Sequence, residues 1–313
     1  MKNLPGKISK VGDDYQVVFE RVFHHPAEKV WNAITDPGEL KYWFTDIDQD
    51  LRPGGTLVFR FRDADRSESY GSIVSIDPLH QLEWTWEGEP AEWALEQQGE
   101  ATKLKFTYSK MLVEQALGTA AGFHTLLNRL EDRLNGSSTT YPFGTEENDP
   151  EQQRLRIQYA AAIFESYPEI VRHPPVVVQA TLYAGVEEVW QALTDKNRMK
   201  EWYFDVDDFR AEEGFRFTFP GQGHKGAKFV HQCTVTEVIP YQKLQYSWQY
   251  ENTPGYSLVT FGFHGSGHTT TVKLTHHGIE SFPQNSDDFA WKSFEGGWNE
   301  IIRKMLPKFL AKK

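Results

Sequence analysis

The chain has 313 residues, 39% of them hydrophobic and 25% charged, with a formal net charge of −11. That length suits two domains of ordinary size, and an acidic chain without a Lys/Arg cluster excludes nucleic acid as a natural partner. The lone Cys233 excludes an internal disulfide. The opening MKNLPGKISKVGDDYQ lacks the apolar core of a secretion signal and no stretch nears a membrane span, so a cytoplasmic protein without membrane insertion is expected.

In chain order, residues 15–23 alternate apolar and polar and predict a strand. Pro26 opens a short helix carrying Val30, Trp31 and Ile34. Thr35-Asp36-Pro37 ends it and caps a second helix whose apolar face is Leu40, Trp43 and Phe44. Strands are predicted around Leu57 to Phe61, 71–77 and 81–86, then two hairpin arms at 93–98 and 102–108. A long helix follows, with Leu112, Ala116, Phe123, Leu126, Leu127, Leu130 and Leu134 on one stripe. Its Gly122 has two readings, close approach to the sheet or room for a ligand. Residues 139–173 read as a linker. Within it Asp149 as N-cap and Pro150 at N1 start a helix that docks onto a domain through Leu155, Tyr159, Ala162 and Ile163 and stops before Pro168.

The order then repeats. EKVWNAITDPGELKYWFTDID at 28–48 returns as EEVWQALTDKNRMKEWYFDVD at 187–207, an offset of 159. Trp31 and Trp43 recur as Trp190 and Trp202. The offset grows only across turns: Pro78, Leu82 and Trp86 match Pro240, Leu244 and Trp248, and Gly122-Phe123 matches Gly297-Trp298. A repeat this long is a whole domain present twice, not a solenoid unit. The expected division is 1–138, the linker 139–173, and 174–313. In the second copy Phe215, Phe217 and Phe219 share one face of a strand. Hairpin arms follow at 257–264 and 270–276. The closing stripe is Phe289, Trp291, Phe294, Trp298, Ile301, Ile302, Met305 and Phe309, with Gly296-Gly297 inside it.

A β-α-α-β-α unit with VWxAlTDxxxxxxWf near its start, PxxxLxxxW at its middle, Thr271-Val-Lys-Leu-Thr-His276-His-Gly278 and a final Gly-Trp resembles the helix-grip fold of the START-like (SRPBCC) superfamily. Within it the chain is similar to bacterial homologues of the heat-shock-protein-ninety ATPase activator C-terminal domain. The resemblance implies an α+β protein of two START-like domains, each a curved antiparallel sheet wrapped around a long C-terminal helix beside two short ones. Thr107-Tyr108-Ser109-Lys110 stands where the second copy has Thr-His-His-Gly, so the two interiors are expected to differ. The Asn/Trp-rich N-terminal domain of the eukaryotic co-chaperone has no counterpart here, and co-chaperone activity does not carry over.

In such a fold the space between sheet and last helix is either packed core or ligand cavity. Trp43, Phe59, Trp86, Tyr108 and Phe123 in the first copy, and Trp202, Phe217, His231, Trp248, His276 and Trp298 in the second, are the residues expected to line it. Glu96, His264 and His277 are further polar candidates, although His276 and His277 face opposite ways on one strand. The second copy, richer in histidine, is the expected ligand site. His264 and His268 have no third partner at zinc-type spacing, so no metal is expected. The loop 221–226 has the composition of a phosphate loop without its setting, and Asp46, Asp48, Asp205, Asp207 and Asp208 read as a solvated edge. The expected function is binding of a small apolar or aromatic molecule, without a cofactor. The alternatives are a cyclase-, aromatase- or hydrolase-like enzyme on polyketide-like substrates, and an interaction module with a protein partner.

Overall fold

The computed structural model describes residues 6–63, 65–141, 149–206, 208–223 and 226–312. Asp207 and the centre of the glycine-rich loop, His224-Lys225, lie outside them. The chain divides into two compact units, one ending at Val171 and the other beginning at Arg172.

The first unit contains β1 (Gly6–Val11), β2 (Asp14–Phe23), α1 (Ala27–Thr35), α2 (Pro37–Trp43), β3 (Asp46–Gln49), β4 (Thr56–Arg60), β5 (Glu68–Asp77), β6 (Gln81–Trp86), β7 (Glu89–Gln98), β8 (Ala101–Met111), α3 (Ala116–Leu134) and α4 (Pro150–Ile163). Its strands form one antiparallel sheet in the order β1-β2-β8-β7-β6-β5-β4-β3. Alternation buries Tyr15, Val17 and Phe19 of β2, and Leu104, Phe106 and Tyr108 of β8, against α3. β1 went unpredicted because it is a short edge strand with only Ile8 of its side chains buried and two lysines.

The second unit contains β9 (Val176–Leu182), α5 (Val186–Thr194), α6 (Lys196–Trp202), β10 (Arg216–Gln222), β11 (Lys228–Ile239), β12 (Lys243–Tyr250), β13 (Thr253–Ser266), β14 (Thr269–His277), α7 (Trp291–Glu300) and α8 (Leu306–Leu310). The sheet order is β10-β11-β12-β13-β14-β9. A π-helical turn, Ile301–Met305, joins α7 to α8. It ends two residues before Pro307, which lacks the N–H needed to continue a regular ladder.

The duplicated motif is explained atom by atom. Trp43 Nε1 donates to the Ala33 carbonyl at 2.8 Å, and Trp202 Nε1 donates to Ala192 at 2.9 Å. Thr35 and Thr194 hydroxyls donate back to the carbonyls of Trp31 and Trp190. Asp36 accepts from Gly38 N, and Asp195 from Asn197 N and Arg198 N, capping the second short helix each time. The repeat also covers backbone irregularities. Leu79 and Tyr241, each after the matched proline, have φ of 70° and 63°, and β5 and β11 carry their register shifts at 73/75 and 235/237.

Four expectations need correction. Leu112 precedes α3 and is exposed, because the helix starts only at Ala116. Trp291 is 37% exposed, its indole N–H donating to the Pro174 carbonyl. A Cβ added at Gly122, Gly296 or Gly297 meets nothing within 4 Å, so close approach to the sheet does not explain these glycines. Ala162 of α4 is exposed, whereas Gln152, Leu155 and Tyr159 are buried. Gln152 donates to Thr125 on α3, and the Tyr159 hydroxyl sits 3.1 Å from His124 Nδ1, so α4 forms an outer layer on α3.

The indole ties predict a specific loss. Trp43→Phe or Trp202→Phe leaves a helix-end carbonyl without its buried donor, an expected cost of about 1–3 kcal/mol beyond the change in ring size. Denaturant unfolding measures it, with Trp93→Phe as the control for ring size, since the Trp93 N–H has no protein partner. Equal losses in all three variants would show that the tie contributes nothing.

Candidate functional site

In the second unit the residues expected to line a cavity pack against one another. Trp298 lies on the sheet-facing side of the last helix, 5.4 Å between ring centres from Trp248 and 6.1 Å from Phe261. Its Nε1 donates to His276 Nδ1 at 2.9 Å. Nδ1 is therefore the acceptor, and Nε2–H donates to the Ser257 hydroxyl at 2.8 Å. Ser257 in turn donates to the Trp248 carbonyl at 2.9 Å. The relay closes with every member satisfied. His276 is fully buried, and burial, with His277 beside it, lowers its pKa to about 3.

His231 occupies a second enclosure. Its ring stacks on Phe219 at 4.3 Å, with Trp248 and Tyr250 each 4.6 Å away. Nδ1 reaches the Phe219 carbonyl at 3.3 Å, and burial lowers the pKa to about 4. Gly221 makes room for it: a Cβ there would lie 2.3 Å from His231 Cε1. Trp248 Nε1 is near the Tyr250 hydroxyl but lacks the alignment of a good hydrogen bond. Phe217 packs on Phe209 and Tyr246, and Trp202 stacks on Phe309. His264 is exposed beyond the core at the end of β13, and Glu96 is exposed on β7, so neither polar candidate reaches the interior. His277 is buried on the other side of β14 from His276.

The first unit differs at the positions where its sequence differs. Tyr108 stands at the place of His276 and Phe123 at that of Trp298. Phe123 has no N–H to satisfy, and Tyr108 reaches past it, 4.8 Å between rings, to donate to Glu89 at 2.7 Å. Gln115, just before α3, donates to the other oxygen of Glu89. Burial and this carboxylate raise the Tyr108 pKa, so the phenol keeps its proton. Trp86 lies between Phe59 and Phe61 in near-parallel stacks of 5.1 and 5.9 Å. Its Nε1 donates to Ser69, and Ser69 to Glu87.

Beside this stack a partly open void of about 20 Å³ lies between α1, α2 and the sheet. Trp43 and Phe59 line it, with Leu40, Trp84, Trp93 and Gln49. Gln49 donates its amide to the Thr35 carbonyl. Trp93 is 2% exposed, and its Nε1 is buried without a protein partner. Trp93, Gln49, Glu89 and Ser257 were not singled out from the sequence. Ser257 meets the His276 relay only through the β12–β13 and β13–β14 registers, for which no local signal exists.

Among the described residues no three His, Cys, Asp or Glu side chains are grouped to hold a metal ion, and no helix is long and apolar enough to cross a membrane. Cys233 is buried and its thiol pKa is raised by burial.

Two antiparallel sheets, each packed on short helices and a long C-terminal one around an aromatic interior, define an α+β helix-grip protein built twice. The chain belongs to the family described as Activator of Hsp90 ATPase homolog 1-like protein, which it matches over residues 24–135 and again over 183–311. Among solved structures it is similar to CalU16 from Micromonospora echinospora, at 20% identity over 51% of this chain and 96% of that one, with a TM-score of 0.40. DynU16, a protein in the dynemicin biosynthetic locus, matches at 15% identity over 94% of this chain and 97% of its own, with a TM-score of 0.38. MLL2253 from Mesorhizobium loti matches at 26% identity over 44% and 98%, with a TM-score of 0.37. No curated protein matches the chain.

Two outcomes are expected from the histidines. Folded-state pKa values of about 4 for His231 and 3 for His276 lie below the usual 6.5, so the fold favours the neutral rings. Their contribution to stability is complete above about pH 6.5 and is lost as pH falls towards 4 and then 3. Imidazole NMR should show both rings neutral from pH 7.5 to 5.5; titration of either near 6.5 contradicts the burial argument. In a double-mutant cycle, His276→Phe and Trp298→Phe should couple by about 1–3 kcal/mol, because either change alone strands a buried polar partner. Additive losses would mean the relay is energetically idle.

Proposed function

We propose that this protein binds a small, largely apolar or aromatic molecule, and that the first unit holds it between α1–α2 and the sheet. The observation that carries the reading is the void beside Trp43, Phe59, Trp84 and Trp93. Pockets for small molecules are mostly apolar walls with a few polar groups, and this wall has that composition, with Gln49 and the indoles of Trp43, Trp84 and Trp93 as its polar-bearing side chains. About 20 Å³ admits a group the size of a water molecule, so a larger guest is accommodated as the wall moves outward. The wall includes an edge: Ile47 and Gln49 belong to β3, a four-residue strand paired only with β4.

The second unit fits the role of a scaffold. A ligand there has to displace Trp298 or Phe294 and break a satisfied relay, which opposes entry. Binding is favoured over acid–base catalysis in the first unit, because no residue lining the void titrates near neutral pH. The lone, buried Cys233 is in keeping with a reducing, cytoplasmic setting.

The test is a titration of the full chain with neutral naphthalene derivatives, followed by calorimetry and tryptophan fluorescence. Saturable binding is expected. Leu57→Phe, which adds bulk at the wall, should weaken it at least about tenfold while costing no more than about 1–3 kcal/mol of stability. Undiminished binding in that variant would place the ligand elsewhere, and no binding at millimolar concentration would overturn the reading.

A further inference from the structure

We infer that the first unit selects ligands bearing a hydrogen-bond acceptor, a carbonyl or ether oxygen on an apolar ring system, and that Trp93 Nε1–H is the donor that receives it. The inference rests on the reading of the void as a ligand site and adds the chemistry of what enters.

Trp93 is held firmly. Its ring lies 4.2 Å from Phe106 and 6.0 Å from Trp43, and it is 2% exposed. Two other indoles of this interior are paired: Trp43 Nε1 with the Ala33 carbonyl and Trp86 Nε1 with Ser69. Trp93 alone of these three keeps a buried N–H without a protein partner, and it lines the void. A buried donor left unpaired is costly, and native interiors carry few of them without a reason. An acceptor atom entering the void removes that cost, so the site discriminates by the group missing from its own wall. The space of about 20 Å³ is sufficient for one oxygen atom, while the flat apolar walls suit the ring that carries it. Gln49, whose amide nitrogen donates to the Thr35 carbonyl, lies on the same wall. A ligand with an acceptor pairs the Trp93 N–H, whereas a hydrocarbon leaves it unpaired.

The discriminating pair is 2-acetylnaphthalene and 2-isopropenylnaphthalene, close in shape and differing in C=O against C=CH₂. Both are titrated by calorimetry into the full-length wild type and into Trp93→Phe. The expected result is that the substitution shifts the ratio of the two dissociation constants about tenfold against the ketone, leaving the hydrocarbon within about twofold. An unchanged ratio, with both compounds bound, overturns the acceptor inference and leaves the apolar pocket standing. Failure of both compounds to bind the wild type overturns the pocket reading itself, whereas binding of the ketone alone supports the acceptor inference. If Trp93→Phe does not fold, the wild-type indole N–H resonance of Trp93, assigned through contacts to Phe106 and Trp43, carries the test. It should move downfield on adding the ketone and stay in place with the hydrocarbon; equal behaviour with both overturns the inference.

Discussion

Each unit is organised by one buried hydrogen bond, from the indole N–H that ends the second short helix to the carbonyl of the alanine ten residues before it. The last turn of a helix leaves carbonyls without intrahelical partners, and here one of them is buried. Trp43 and Trp202 satisfy that carbonyl and fill the space above the sheet with the same side chain. The threonine–carbonyl bond and the aspartate cap then fix the bend between the helices. With the helix pair locked, the aromatic interior has a rigid roof. In the first unit the void lies under that roof.

The duplication acts as a comparison within one chain. Exchange of Phe123 for Trp298 introduces an N–H into the interior, and exchange of Tyr108 for His276 introduces the acceptor it needs. The phenol, longer than imidazole, reaches the rim and ends on Glu89; the imidazole stays inside and completes a closed relay through Ser257. Closing the polar groups of the second interior on one another leaves its histidines neutral and enclosed. The first interior sends its polar ends outward, through Tyr108 to Glu89 and through Trp86 and Ser69 to Glu87. It retains the unsatisfied indole of Trp93 beside the void. Histidine content, the natural signal for a reactive site, thus points here to an interior that keeps its buried histidines neutral.

The amino-acid sequence by itself determined the two-fold repeat, the α+β helix-grip architecture, and the elements that carry both aromatic interiors. Each rests on short-range physics: an alternation of two for strands, three to four for helices, and caps and turns completed within a few residues. Even the Asp149-Pro150 helix start was readable, because an N-cap is a local bond. Which polar atoms meet inside was decided only by tertiary structure. Ser257 meets His276 through strand register, Glu89 meets Tyr108 and Gln115 from a separate strand, and Glu96 and His264 turn outward by the same rule of register. The void and the unpaired Trp93 are likewise products of how side chains from seven elements pack, and a remainder of packing has no signature along the chain.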